Sequence, residues 1–339
     1  MNGDESEDPQ DREESMAAKS WKEWEKPLIE LEEALAKLRD SARTADPAKR
    51  ADIEAKVIEY EKRRDNYIEV MYSRLGPWEK VLVARAERRP YTLDYVQAIF
   101  TDFVELEGDR RFGADHAIIG GPAMMDGQPV MLVGHQKGRN IQERQYRNFA
   151  MAKPEGYRKA MRLFDMANRF GMPVITFVDT PAADPGVESE SRGISEALAA
   201  SMLRMFELRV PTISVVIGEG GSGGGLGIAV ANSILMQEHS IYSVIPPEGC
   251  AAILWRAPDK AAQAAAALKL TAQSALELGL IDEILDEPRG GAHRDWTEAA
   301  GIVKEGLRRH LNAQLPKSGD TLKSERYAKF RQMGIYGSA

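Results

Sequence analysis

An α/β fold with parallel strands is predicted for this 339-residue chain. Strand-like apolar runs alternate with helical stretches through its middle, an Asp126-Gly127 dipeptide joins two of those runs, and a dense run of glycines follows another. Such alternation leads to helices layered on a mostly parallel sheet.

The hydrophobic content of 43% is enough to fill a substantial core. No stretch approaches the roughly 18 uninterrupted apolar residues of a spanning helix, and the mean hydropathy of -0.39 agrees with a water-soluble chain. The first fifteen residues carry Asp4, Glu5, Glu7, Asp8, Asp11, Glu13 and Glu14 against Arg12 alone, the reverse of a signal or transit peptide. A cytoplasmic protein is expected. With Cys250 as the only cysteine, neither an internal disulfide nor a Cys-based zinc cluster is available within one copy. A net charge of -7 argues against generic nucleic-acid binding. Two local basic clusters, Arg85, Arg88, Arg89 and Arg158, Lys159, Arg162, stand as candidate contacts, with solvated faces as the plainer reading.

Taken in order, residues 1–20 read as a disordered acidic tail, too poor in large apolar residues to repay the entropy of ordering. Residues 21–89 read as a helical hairpin extension. Leu28, Leu31, Leu35 and Leu38 lie on one helical stripe; Asp46-Pro47 starts a second helix that carries Ile53, Val57, Tyr60, Tyr67, Met71 and Leu75, and Gly76-Pro77 stops it. Residues 90–339 form the main domain. Thr92 caps a helix running to about Phe103, and His116 to Met124 with Gln128 to Gln136 make a hairpin, since Asp-Gly suits the positive φ angles of its turn. Pro154 to Phe170 is a helix with Tyr157, Met161, Phe164 and Ala167 inward, closed by Gly171 ahead of a buried strand from Pro173 to Asp179. The plan repeats with a helix from Gly193 to Leu208 and a strand from Pro211 to Ile217. Ser233 to Gln237, Ile241 to Val244 and Leu280 to Leu285 are shorter strands. Helices follow at Ala272, Ala275 and Leu278 and from Asp295 onward, the last with Trp296, Ile302, Leu307 and Leu311 inward.

The chemistry points to Gly218-Glu219-Gly220-Gly221-Ser222-Gly223-Gly224-Gly225, followed by a small-residue helix from Leu226 to Ala231. Glycines let a backbone approach a ligand closely, at an entropic cost. Gly218, Gly220 and Gly223 formally satisfy G-x-G-x-x-G, with Glu238 placed where a ribose-binding acid would stand, but the match falls late in the chain and lacks a second nucleotide-binding half. Gly220 to Gly224 also reads G-x-S-x-G; a serine nucleophile needs a histidine base, and the five histidines are His116, His135, His239, His293 and His310. No Gly-Lys-Ser/Thr closes a phosphate loop. An oxyanion-binding loop remains as the physical reading, against plain tight packing. The loop Thr180-Pro181-Ala182-Ala183-Asp184-Pro185-Gly186 after the neighbouring strand would flank the same crevice.

These residues resemble the α subunit of the bacterial-type acetyl-CoA carboxylase carboxyltransferase. The likeness runs from about Pro27 to Tyr336. It rests on Pro90-Tyr91-Thr92-Leu93-Asp94-Tyr95, Gly134-His135-Gln136-Lys137-Gly138-Arg139, Pro154-Glu155-Gly156-Tyr157-Arg158-Lys159-Ala160, Val216 to Gly224, and Tyr242-Ser243-Val244-Ile245 with Pro247-Glu248-Gly249-Cys250-Ala251 and Ile253-Leu254-Trp255. The resemblance implies a crotonase-like (ClpP/crotonase) spiral of ββα units with an N-terminal helical extension.

It further implies transfer of a carboxyl group from carboxybiotin on a carrier protein to acetyl-CoA, giving malonyl-CoA at the first committed step of fatty acid synthesis. The implied partners are a β subunit in an α2β2 assembly, the biotin carboxyl carrier protein and acetyl-CoA, with neither nucleic acid nor membrane. Zinc would belong to the β subunit alone, and no cofactor would be attached covalently to this chain. The family's backbone oxyanion hole carries onto Gly220, Gly221, Gly223 and Gly224. Lys137, Arg139 and Arg158 are candidates for CoA phosphates or the carboxylate in transit. Ala182, Ala183 and Asp184 complete the candidate substrate contacts. Ala182 and Asp184 depart from the family's Thr-Pro-Gly-Ala-Tyr-Pro-Gly, replacing a glycine and a tyrosine. Two other readings stand beside the carboxyltransferase one: a crotonase-like acyl-CoA hydratase or decarboxylase acting without biotin, using Glu219 or Asp184 as acid/base, and, through that departure, a non-catalytic partner-binding subunit.

Overall fold

A computed structural model describes residues 20–334, so the expected acidic tail, apart from Ser20, lies outside the described residues. Short α1 (Trp21–Trp24) leads into α2 (Lys26–Thr44), which pairs with α3 (Pro47–Tyr72). Asp46 caps α3 by accepting the Ala48 amide, with Pro47 in the first turn, where a missing N–H costs nothing. The hairpin is tied to the main body through buried Glu25, which accepts from Tyr72 and pairs with Arg294 at 2.8 Å.

Gly76-Pro77, read from sequence as a stop, also begins a helix, α4 (Pro77–Ala84). Val81 and Ala84 of that helix are buried with Ile241, Ala265 and Leu270 of the main domain. The expected boundary at residues 89/90 therefore falls within the core: the hairpin ends near residue 76. The cluster Arg85, Arg88, Arg89 is likewise not a basic face. Arg89 is buried, donating to Glu287, to the Ile217 carbonyl at 2.8 Å and to Gln237 at 3.3 Å.

Next come α5 (Thr92–Ile99), ending four residues earlier than expected, and then the hairpin β1 (Ile118–Met125) and β2 (Gln128–His135). Asp126 and Gly127 have φ of 49° and 83°, the doubly left-handed turn that an Asp-Gly pair favours. The chain continues through α6 (Ile141–Tyr146), α7 (Pro154–Phe170), β3 (Val174–Thr180), α8 (Val187–Ser191), α9 (Ile194–Glu207), β4 (Thr212–Gly221), α10 (Ser222–Leu226), β5 (Ser233–Gln237) and β6 (Ile241–Ser243). After these lie α11 (Pro247–Trp255), α12 (Ala261–Leu268), α13 (Ala272–Glu277), β7 (Glu283–Leu285), α14 (Trp296–Gln314) and α15 (Gly319–Gln332). The glycine run is thus not a loop before a helix at Leu226 to Ala231. Its first half extends β4 to Gly221 and its second half forms α10, because β6 offers a new edge that pairs with Glu219, Gly220 and Gly221.

The sheet runs β1-β2-β3-β4-β5-β7, antiparallel at β1/β2 and parallel from β2 onward, with β6 beside the end of β4. Period-two alternation sends Val174 and Val178 of β3 into the core under α7 and α9, and Ile175 and Phe177 into the core under α5 and α14. Both faces are covered, as parallel strands require.

Candidate active site

The C-terminal ends of β2, β3 and β4 converge with the start of α10, the place where open α/β sheets form crevices. Just past β2, Lys137 Nζ lies 2.7 Å from Asp179 Oδ1 and 3.1 Å from Glu219 Oε1. Asp179, on β3, also accepts the Glu219 amide at 2.9 Å, so one carboxylate oxygen fixes the backbone where the glycine run begins. A Cβ on Gly218 would stand 2.3 Å from that same oxygen, which explains the glycine. Arg85 Nε donates to Glu219 Oε2 at 2.7 Å and its other arm pairs with Glu248. Burial works to raise the Glu219 pKa but is outweighed by the charges of Lys137 and Arg85, which hold it at about 2. Lys137 stays protonated, because the two carboxylates overcome its own desolvation and raise its pKa.

His135, immediately before this network, is fully buried, and both ring nitrogens lack a well-formed hydrogen bond although they face the backbone of Phe177 and Gly224. Burial, with the charge of Lys137, pushes its pKa down to about 3. It is a neutral ring wedged beneath the glycine run.

The glycines divide by what surrounds them. A Cβ on Gly221 would meet the Pro181 carbonyl oxygen at 2.0 Å, and one on Gly224 would meet the Ala183 amide at 2.3 Å and the Ala182 carbonyl carbon at 2.4 Å. These two let the glycine run lie directly against the loop after β3, so Ala182 and Ala183 do flank it. Gly220 sits over the Tyr242 ring, with Cδ2 at 2.6 Å from its virtual Cβ, whereas Gly223 has only Leu198 at 3.5 Å. Tyr157, on α7, donates to the Gly224 carbonyl at 3.1 Å. Ser222 joins β4 to α10 with φ of 58°, the sharp strand-to-helix turn of a nucleophile elbow. Among the described residues its hydroxyl has no hydrogen bond and no histidine base, so the turn serves the backbone rather than the side chain. The first amides of α10 have no intrahelical acceptor.

The other predicted contacts are dispersed. Arg139 lies between the rings of Tyr91 and Trp296, 4.1 and 4.6 Å from their centroids, donating to the Glu87 and Arg89 carbonyls at 3.0 Å and pairing with Asp94. It clasps α5 to α14 and stands apart from the glycines. Arg158 donates to the Arg192 carbonyl at 2.7 Å and approaches Glu155 and Glu196. Asp184 is held by Asn148 of the segment before α7, at 3.1 Å, and by Ser189 of α8. Sequence reasoning passed over Asp179, Arg85 and Tyr157 as members of the site. Asp179 had a signal, an acid ending a buried strand beside the glycine run; Arg85 stood out only as part of a basic cluster, and tertiary packing alone brings it to Glu219.

A profile of the family described as acetyl co-enzyme A carboxylase carboxyltransferase-like matches residues 21–334. The acetyl-coenzyme A carboxylase carboxyl transferase subunit alpha of Geobacter metallireducens is 54% identical over 95% of this chain and 99% of its own length. The protein of that name from Thermus thermophilus is 50% identical over 93% and 98%. Among solved structures, a transcarboxylase 12S crystal structure with methylmalonyl-coenzyme A and methylmalonic acid bound superposes with a TM-score of 0.56 at 18% identity, over 70% of this chain and 44% of that one. A Pseudomonas malonate decarboxylase hetero-tetramer in complex with coenzyme A gives 0.56 at 19% identity, over 71% and 96%. These similarities to solved structures establish the crotonase-like fold.

Proposed function

Because this chain belongs to the acetyl-CoA carboxylase carboxyltransferase α-subunit family, we propose that it is the α-type subunit that transfers a carboxyl group from carrier-borne carboxybiotin to acetyl-CoA, forming malonyl-CoA. The observation that carries the proposal is the glycine cradle: Gly221 and Gly224 lie against the Pro181 to Ala183 backbone, where no side chain would fit, and a Cβ on Gly223 would meet nothing closer than Leu198 at 3.5 Å. A ureido group fits such a surface, which presents N–H donors and no side chain. Carboxybiotin supplies an activated carboxyl group whose departure leaves negative charge on the ureido oxygen.

The chain's own part is preorganisation. Asp179, Lys137 and Arg85 fix Glu219 and so the start of the cradle; Tyr157 fixes the Gly224 carbonyl; the amides of Gly220, Gly221, Gly223 and Gly224 are the candidate donors. Each oxyanion donor in such sites is worth about 2.7 to 4 kcal/mol. Glu219 is unsuited to the acid/base role of a hydratase-like enzyme, because it is held ionised with both oxygens engaged. Asp184, with one oxygen accepting from Asn148 and the other from Ser189, is no better placed.

A second subunit is expected to complete the site. Val244, Ile253 and Leu254, 77%, 71% and 63% exposed, flank Glu248 and give an apolar rim suited to a partner. We assign that partner as the β subunit, with its own zinc, and the donor as the biotin carboxyl carrier protein, in an α2β2 assembly working in the cytoplasm. Among the described residues no helix is long and apolar enough to cross a membrane. The test is malonyl-CoA formation from carboxylated carrier and acetyl-CoA by the chain alone and with its β subunit. Activity only in the assembly supports the reading; a stable but inactive assembly points to a partner-binding subunit.

A further inference from the structure

On the outer side of α7 and α9, a pocket of about 390 Å³ gathers six arginines, Arg110, Arg111, Arg158, Arg162, Arg169 and Arg204, against two aspartates. Glu155 and Glu196 approach Arg158 and Asp165 pairs with Arg204, so the unbalanced charge lies on Arg110, Arg111 and Arg169, on a chain whose net charge is -7. The sequence hinted at Arg158 and Arg162 alone; the fold adds Arg169 from the last turn of α7, Arg110 and Arg111 from the loop before β1, and Arg204 from α9.

The aspartates do not neutralise the basin. Asp109 Oδ1 is taken up by the amides of Arg111, Phe112 and Gly113 at 2.8 to 3.0 Å, and Asp165 pairs with Arg204 at 3.3 Å. Among the described residues, Arg110, Arg111 and Arg169 make no ion pair. The loop is rigidly built: Arg162 donates to the carbonyls of Leu106, Glu107 and Gly108 at 3.1 to 3.2 Å, and Arg110 takes a left-handed φ of 62°. Arg162 feels the result, its pKa lowered by burial and by the charge of Arg110. Phe170, 67% exposed, lines the same pocket. Guanidinium forks match phosphate oxygens in pairs, and an exposed aromatic ring is a platform for a base.

We propose that this basin binds a phosphorylated nucleotide, its phosphates on Arg110 and Arg169 and its base against Phe170. It shares no residue with the glycine cradle. The nucleotide is either free or the nucleotide end of coenzyme A; only the second source rests on the carboxyltransferase reading.

The full chain, alone and with its β subunit, is titrated calorimetrically with ADP, adenosine 3′,5′-bisphosphate, inorganic pyrophosphate and acetyl-CoA. ADP and the bisphosphate are expected to bind at a single site. The double variant Arg110→Ala/Arg169→Ala, whose side chains have no ion-pair partner to lose, should bind ADP at least about tenfold more weakly with an unchanged melting temperature. Phe170→Ala should weaken ADP several-fold while leaving pyrophosphate within about twofold. Competition between acetyl-CoA and ADP, with weaker acetyl-CoA binding by the double variant in the same titration, identifies coenzyme A as the source; ADP binding without competition identifies a free nucleotide. Either outcome upholds the site, and neither needs the chain to form malonyl-CoA. No ADP binding at about millimolar concentration, unchanged affinity in the double variant, or affinity for oligoadenylates that climbs with length would overturn it.

Discussion

Lys137 and Asp179 meet at 2.7 Å at the adjoining ends of β2 and β3, and the same aspartate oxygen holds the Glu219 amide. The cation is therefore a strut for the glycine run. Removing it as Lys137→Met leaves two carboxylates facing each other with Arg85 alone to balance them. Breaking a buried pair costs about 3 to 5 kcal/mol; with Lys137 16% exposed, we expect about 2 to 3 kcal/mol. Adding Asp179→Asn should recover part of that loss. Urea denaturation of both variants checks this, and a Lys137→Met midpoint equal to wild type would contradict the strut.

His135 predicts an acid sensitivity. Its folded pKa of about 3 lies below the ordinary 6.5, so the unfolded chain takes up the proton first. Stability is complete above pH 6.5 and falls as the pH drops toward 3, by up to about 1.4 kcal/mol per pH unit for this group. Glu219, whose pKa is depressed from 4.5 to about 2, keeps its contribution above pH 4.5 and loses it progressively as the pH falls from there through 2. Denaturation between pH 5 and 6.5 thus separates the two. His135→Leu, which removes two unpaired buried nitrogens, should match wild-type stability at pH 7 and decline less steeply over that window; an identical slope would contradict the buried neutral ring.

Tyr157 offers a milder test of cradle geometry. Tyr157→Phe deletes the hydroxyl that donates to Gly224 while keeping the buried ring. The expected loss is about 1 kcal/mol of stability. Carboxyl transfer should slow several-fold in kcat, with little change in KM for the carrier, as measured by malonyl-CoA formation in the assembled enzyme.

The fold was legible where local chemistry and tertiary context agree. Asp126-Gly127 announced its hairpin, and Pro154 with Gly171 bounded α7 to the residue, because positive φ and proline geometry are local demands. Gly76-Pro77 misled because the same pair ends one helix and starts the next. The glycine run stands out in the sequence as the candidate site, but its division into strand and helix depends on β6, which lies twenty residues further on and donates an edge that no local pattern reveals. Charge was the poorest guide. Lys137, Arg139 and Arg158 looked alike in sequence, yet packing makes one a strut under the site, one a clasp between two aromatic rings and one part of an arginine basin.

The most direct test of the account is kcat for malonyl-CoA formation by the assembled enzyme carrying Gly223→Ala or Gly224→Ala. A methyl at Gly223 meets nothing closer than Leu198 at 3.5 Å and keeps the amide in place, whereas one at Gly224 collides with the backbone of Ala182 and Ala183. The account predicts that Gly223→Ala stays within a few-fold of wild type while Gly224→Ala, still assembled with its partner, loses at least about a hundredfold, the effect of displacing one oxyanion donor. Full activity in assembled Gly224→Ala would contradict the glycine cradle as the site of carboxyl transfer.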